Sequence, residues 1–261
     1  MTHVANMTAY VLTFEGAGQR RRSSAGAQMR VIAPEIDWQF VSGFNPDDTR
    51  LEQHYDTELN RKYSKRPLSQ GEIAVYAGHR KMMQMFLESG NPFGLFFEDD
   101  FGNLGSAWHW RHLIANIGAV MADGDMLKLF DFGPPRNGFV TKRNHGPIEL
   151  IKPRSVGAGA VAYILSRQGA AKILSRERIY RQIDEDIKYF WELGLDIWTA
   201  RPSLVGEISA SLGGSFLEDG RRKIKYNNRG IGTSVKGNYL ALRKFAFGRY
   251  HQLRQRAERG Y

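Results

Sequence analysis

Residues Phe93-Gly-Leu-Phe-Phe-Glu-Asp-Asp-Phe101 join a short apolar run to three consecutive acids. A run of this length suits a buried strand and is too short for a buried helix. Adjacent carboxylates repel one another, so Glu98, Asp99 and Asp100 at the end of a core strand are costly unless a cation offsets them. Hard divalent ions such as Mg²⁺ and Mn²⁺ take carboxylate and water oxygens. Open α/β sheets bind ligands beyond the carboxyl ends of their strands. The stretch therefore reads as a metal-dependent site for a phosphate-bearing substrate. The plainer reading is an acidic turn after a strand, since turns favour Asp.

The rest of the chain alternates strand and helix signals. Strands are predicted at 8–14, 38–41, 93–97, 126–130, 156–165 and 195–199. Ser69-Gln-Gly-Glu72 is a capping box that opens a helix, closed by Gly90 and Pro92. Further helices are predicted over 106–121, from 169 to 174, and over 183–193. Residues 43–66 read as a loop or short helices. Strands alternating with helices imply an α/β sheet flanked by helices.

Charge divides the chain. Residues 219–261 carry twelve Lys or Arg against two acids, so the whole net charge of +10 lies there. The other 25 basic and 25 acidic residues cancel. The expected organisation is a catalytic domain over 1–205 and a basic segment over 206–261, packed on that domain or associated with a membrane. Such a segment suits nucleic acid, anionic lipid or an acidic partner, or is a solvated tail. Arg243, Lys244, Arg249, Arg254, Arg256 and Arg259 alternate with Leu240, Leu242, Phe245, Phe247, Tyr250 and Leu253, the pattern of a basic amphipathic helix. The absence of cysteine excludes disulfides, thiolate metal sites and a cysteine nucleophile. The opening Met1-Thr-His-Val-Ala-Asn-Met7 lacks the basic and apolar regions of a signal peptide. The expected setting is cytoplasmic, peripheral on the inner face of the membrane.

A second acidic triplet, Asp184-Glu185-Asp186, stands at a helix start, where the helix dipole alone favours it. Two separate acid clusters also match a sugar transfer, which needs one to neutralise a diphosphate leaving group and another to take a proton. Gly157-Ala-Gly159 lacks the third glycine of a dinucleotide fingerprint, and the chain has no P-loop, HExxH, GxSxG or kinase signature. His79 reads by itself as a packed, hydrogen-bonded helix residue.

The ordered pieces Gly71-Glu72-Ile73, His79, Leu95-Phe-Phe-Glu-Asp-Asp100, Lys128-Leu129, Ala162-Tyr-Ile-Leu-Ser166, Gly169-Ala170 and Asp184-Glu185 together resemble glycosyltransferase family 25. That family includes bacterial lipopolysaccharide and collagen galactosyltransferases, and its pattern carries Ser-His where this chain has Gly78-His79. The resemblance implies a GT-A-like α/β fold with a mostly parallel sheet, and an inverting transfer from a UDP-sugar (UDP-galactose foremost) to a saccharide or glycolipid acceptor. It implies Mn²⁺ or Mg²⁺ at Glu98 and Asp100. It assigns Arg20, Arg21, Arg22, Glu72, His79 and Asp99 to the nucleotide-sugar site, and makes Asp184 the candidate base, with Glu185 and Asp186 as alternatives. Two other classes remain: a basic protein binding nucleic acid or an anionic surface without catalysis, and a metal-dependent phosphohydrolase. No RNA-binding aromatic signature or helix-turn-helix supports nucleic acid, so it is not an expected partner.

Overall fold

The computed structural model describes residues 7–14, 16, 18–32, 34–133, 138–214, 217, 224 and 231–259. In chain order the elements are β1 (Met7–Thr13), α1 (Gly18–Ile32), β2 (Asp37–Ser42), a 3₁₀ helix (Thr49–His54), α2 (Thr57–Tyr63), α3 (Gln70–Ser89), β3 (Phe93–Glu98) and β4 (Phe101–Asn103). Then come α4 (Ala107–Ala115), α5 (Ile117–Val120), β5 (Met126–Lys128), β6 (Phe139–His145), β7 (Ile148–Pro153), β8 (Ala162–Ser166), α6 (Arg167–Leu174) and α7 (Ile183–Lys188). A second 3₁₀ turn (Phe190–Glu192), β9 (Ile197–Arg201), β10 (Val205–Glu207), a third 3₁₀ turn (Ser209–Leu212) and α8 (Ile231–Arg259) complete the order.

Eight strands form one sheet in the order β2-β1-β3-β8-β5-β9-β7-β6. Six of them run in one direction, and only β8 and β7 are reversed. This is the α/β architecture expected of a GT-A-like fold. Successive strand residues alternate faces. Ala9 and Val11 of β1 join a core under α1, α4 and α5, with Met29, Trp110 and Leu113. Tyr10 and Leu12 join the other core, under α3, α6 and α7, with Tyr76, Phe86, Ile173 and Ile187.

The capping box forms as read: Ser69 Oγ accepts from Glu72 N–H, Glu72 accepts from Ser69 N–H, and Gly90 ends α3 in the left-handed region at φ 77°. Four predicted elements are shorter than their sequence signals, the strand at 126–130 among them, since β5 ends at Lys128. β8 begins at Ala162, because 156–161 turn away as a loop after Gly157, where a Cβ would strike the Asp131 carboxylate at 2.1 Å. The predicted helix 106–121 breaks at Asn116, whose side chain donates to His112 O. The predicted helix 183–193 ends at Lys188 and continues only as a 3₁₀ turn.

Helix α1 and the β6–β7 hairpin lie outside the predicted elements. The buried positions of α1 are Arg21, Ala25, Gly26, Met29 and Ile32. Their helical spacing is regular, but the stripe starts with an arginine and small residues, so counting apolar residues misses it. β6 is a charged edge strand, carrying Lys142, Arg143 and His145, as edges exposed to water require.

Candidate active site

The carboxyl ends of β1 and β3 lie side by side in parallel register, with Leu12 opposite Glu98. The first acidic triplet therefore opens beside Thr13 and the start of α1. Arg21, in the first turns of α1 and only 3% exposed, reaches back to it. Its Nη1 donates to Asp99 Oδ1 at 2.7 Å and to Asp100 Oδ2 at 3.4 Å, and its Nη2 donates to Gly214 O at 2.6 Å. Arg20 and Arg22 are exposed, and the Arg22 guanidinium lies over the Phe40 ring at 4.8 Å. The run of three arginines thus places one side chain at the triplet and two outside it.

Each acid of the triplet has a different environment. Asp99 is held by Arg21, although burial still raises its pKa above the usual carboxylate value. Asp100 is raised to about 7, first by burial and then by the negative charge of Glu98, against the pull of Arg21; Asp99 and Glu207 raise it further. Asp100 Oδ1 is buried and, among the described residues, has no hydrogen-bond partner. Glu98 Oε1 faces His79 Nε2 at 3.2 Å, and His79 Nδ1 faces the Tyr163 hydroxyl at 2.7 Å. Burial holds the Tyr163 phenol well above its ordinary pKa. The Tyr163 hydroxyl and the Glu98 carboxylate thus engage the two ring nitrogens of His79. His79 is a packed residue, fully buried, that orients Glu98 rather than lining a cavity. Gly78 leaves room for the Leu12 side chain, whose Cδ1 would lie 2.7 Å from a Cβ at that position.

Glu98 and Asp100 form the wall between two cavities. The first is lined by Thr13, Phe14, Arg21, Phe44, Ala74 and Asp99. The second is lined by Glu72, Phe132, Gly159, Gln182, Asp184 and Glu207. Both include Glu98, Asp100, Val75 and Leu217. Glu72 also caps α3 and pairs with Arg66 at 2.7 Å, and Gln182 donates to it. Gln182 in turn borders a third cavity under α8, with Tyr63, Lys65, Tyr189 and Lys244 in its lining.

The second triplet spreads its acids in three directions. Asp184 faces the second cavity and accepts from the Gly159 N–H at 3.4 Å. Glu185 turns to α8, pairing with Lys244 at 2.6 Å and Lys188 at 2.9 Å. Asp186 is 1% exposed and bound by Arg176 at 2.7 Å, Arg181 at 3.3 Å and the Tyr76 hydroxyl at 2.6 Å.

Beneath the Gly159 loop lies Lys128, whose Nζ donates to Gly157 O at 2.6 Å and Ala158 O at 3.0 Å. Burial lowers its pKa to about 8, while Asp131 and Asp184 pull the other way. Sequence reasoning missed this loop-holding role, and it missed Glu207. Lys128-Leu129 was among the pieces of the family resemblance, and a lysine inside an otherwise apolar strand was the further signal.

A divalent ion fits this cluster in donor type and charge. Asp100 offers an unpartnered buried oxygen, and three further carboxylates raise its pKa, which a cation would reverse. Among the described residues, no three His, Asp or Glu side chains stand together as a preformed cation site.

Residues 5–103 match the sequence model of glycosyltransferase family 25, described as an LPS biosynthesis protein family. The matched stretch contains Arg21, Glu72, His79 and the whole first triplet, together with every lining residue of the first cavity except Leu217. Among solved structures, "Crystal Structure of A197 from STIV" aligns with a TM-score of 0.38 and 10% identity, covering 74% of this chain and 80% of that one. No curated protein matches the chain.

Proposed function

We propose that this chain is an inverting, divalent-metal-dependent glycosyltransferase that moves a sugar from a UDP-sugar to a saccharide acceptor in lipopolysaccharide synthesis, with UDP-galactose the first donor to test. The observation that carries the reading is the shared wall. Glu98 and Asp100 border both a cavity with a buried arginine and a cavity lined by the Asp184 carboxylate. The family match over 5–103 supports assigning the first cavity to the donor. The second is then the acceptor side.

In this reading Arg21 orients Asp99 and Asp100, and His79 fixes the rotamer of Glu98. Glu98 and Asp100 would hold Mn²⁺ or Mg²⁺, which supplies charge to a departing diphosphate. Asp184 takes the proton of the acceptor hydroxyl as that oxygen bonds to the anomeric carbon from the face opposite the leaving group. The bond from that carbon to the diphosphate oxygen breaks with its electron pair, and UDP leaves. One displacement inverts the centre, and one base suffices. The Gly159 N–H keeps one Asp184 oxygen turned into the cavity.

The test is release of UDP from a panel of UDP-sugars, with Mn²⁺, with Mg²⁺ and with chelator. Metal-stimulated UDP release without inorganic phosphate is expected. Release of inorganic phosphate would favour the phosphohydrolase. No turnover of any UDP-sugar with either metal, in a folded sample, would overturn the reading.

A further inference from the structure

Helix α8 has two faces of opposite character. One face is fastened to the body. Leu240, Gln252 and Gln255 are buried, Gln252 donates to Pro153 O at 2.7 Å, and Arg243 pairs with Glu192 at 2.9 Å. The other face carries Val235, Tyr239, Leu242, Tyr250 and Leu253, between 58% and 67% exposed. At about 100° per residue these five fall within an arc of about 80°. The stripe runs about 27 Å along the helix axis. Arg249 and Arg256 border it on one side, and Arg254, paired with Glu258 at 2.7 Å, on the other. No helix among the described residues is long and apolar enough to cross a membrane.

We infer that this face of α8 lies on an anionic lipid surface, its apolar stripe at the headgroup boundary and its arginines on lipid phosphates. The charge distribution selects that occupant. Residues 219–261 hold the entire net charge of +10. A second copy would set that basic segment against its own like, and like charges in close contact repel. A nucleic acid calls for Lys and Arg at the centre of the contact, where this face presents Leu, Val and Tyr. A helix with apolar residues along one line and basic residues beside it matches the lipid interface. The inference rests on α8 alone and does not depend on the glycosyltransferase reading.

The experiment sediments the full chain with vesicles of phosphatidylcholine alone and of phosphatidylcholine mixed with phosphatidylglycerol, at low and high salt. Binding to the anionic vesicles that weakens with salt is expected. The Leu242→Glu/Leu253→Glu variant should partition about tenfold less at an unchanged melting temperature, since both side chains are exposed. Wild-type partition in that variant would reduce the effect to charge adsorption and overturn the proposal. So would absence of binding to anionic vesicles at low salt. Sedimentation velocity without lipid supplies a further arm: a wild-type dimer that the double variant makes monomeric would show that a second copy covers the stripe. Metal-stimulated UDP release from a soluble UDP-sugar should be the same in both proteins, which keeps failure here separate from failure of the catalytic reading.

Discussion

The two acidic triplets have the same composition and opposite designs. Glu98, Asp99 and Asp100 leave the end of a strand and converge, and burial together with the charge of Glu98 raises the pKa of both aspartates. Asp184, Glu185 and Asp186 start a helix, so successive side chains point about 100° apart. Each meets a different partner: a cavity, the C-terminal helix and a buried pair of arginines. Convergence builds one acidic wall, whereas divergence assigns one acid to the cavity and two to the scaffold. The difference lies in the backbone that carries the acids.

The largest expected effect is at the converging triplet. Asp100→Asn should lower metal-stimulated UDP release on the order of 10³-fold, the several kcal/mol that a metal-held charge supplies. The check is steady-state kinetics against metal concentration, with circular dichroism to confirm the fold. Wild-type turnover in this variant would break the contrast at its stronger end.

Next is a loss of stability without a specific loss of chemistry. Asp186→Ala leaves Arg176 and Arg181 with Glu192 alone and the buried Tyr76 hydroxyl without its acceptor, a change that costs about 1–3 kcal/mol. Denaturant unfolding should show it, while activity per folded molecule stays near wild type. A dead but stable Asp186 variant would return this acid to the chemistry.

Asp184 and Glu185 sharpen the comparison one residue apart. Asp184→Asn should cut sugar transfer about 10²-fold while donor binding is kept. Glu185→Gln should change transfer little and stability by less than about 1 kcal/mol, since its partners are partly solvated. Measuring transfer and donor KM in both variants decides the matter. Reversed results would exchange their roles.

These acids also show how far the sequence could be read. The convergence of the first triplet was legible, because a short apolar run before acids implies a strand end. So was the capped helix α3, whose signals are local. Which acid of the second triplet faces a cavity was not legible, since that depends on Arg176, Lys244 and Gly159 arriving from elsewhere in the chain. Arg21 could not be singled out among three arginines without knowing the phase of α1. The antiparallel placement of β8 beside β3, which brings Tyr163 to His79, depends on long-range pairing that no local pattern specifies.

The smallest expected effect concerns what holds the diverging triplet in place. Lys128 supports the loop whose Gly159 N–H meets Asp184. Lys128→Met should lower transfer a few-fold by loosening that loop. The pH dependence gives a second readout. Burial lowers the lysine pKa to about 8 in the folded protein, against about 10.4 in the unfolded chain. Between those values the unfolded state binds more protons, so folding stability rises with pH across that window. Wild type should show this rise and the methionine variant should lack it. Parallel stability curves for the two proteins would remove Lys128 from this role.

The wall of Glu98 and Asp100 has one more consequence, for how such a molecule can be rebuilt. Nearly all of the first cavity is written in a continuous stretch ending at β4, the same stretch that matches the family. Much of the second is written later, at Phe132, Gly159, Gln182, Asp184 and Glu207. The boundary between compartments in space is therefore close to a boundary in the polypeptide. Exchanging the segment after a crossover point in the β4–α4 connection would replace most of the second compartment's surface and leave all of the first but Leu217 intact, which makes this seam the natural place to build chimeras with altered selectivity.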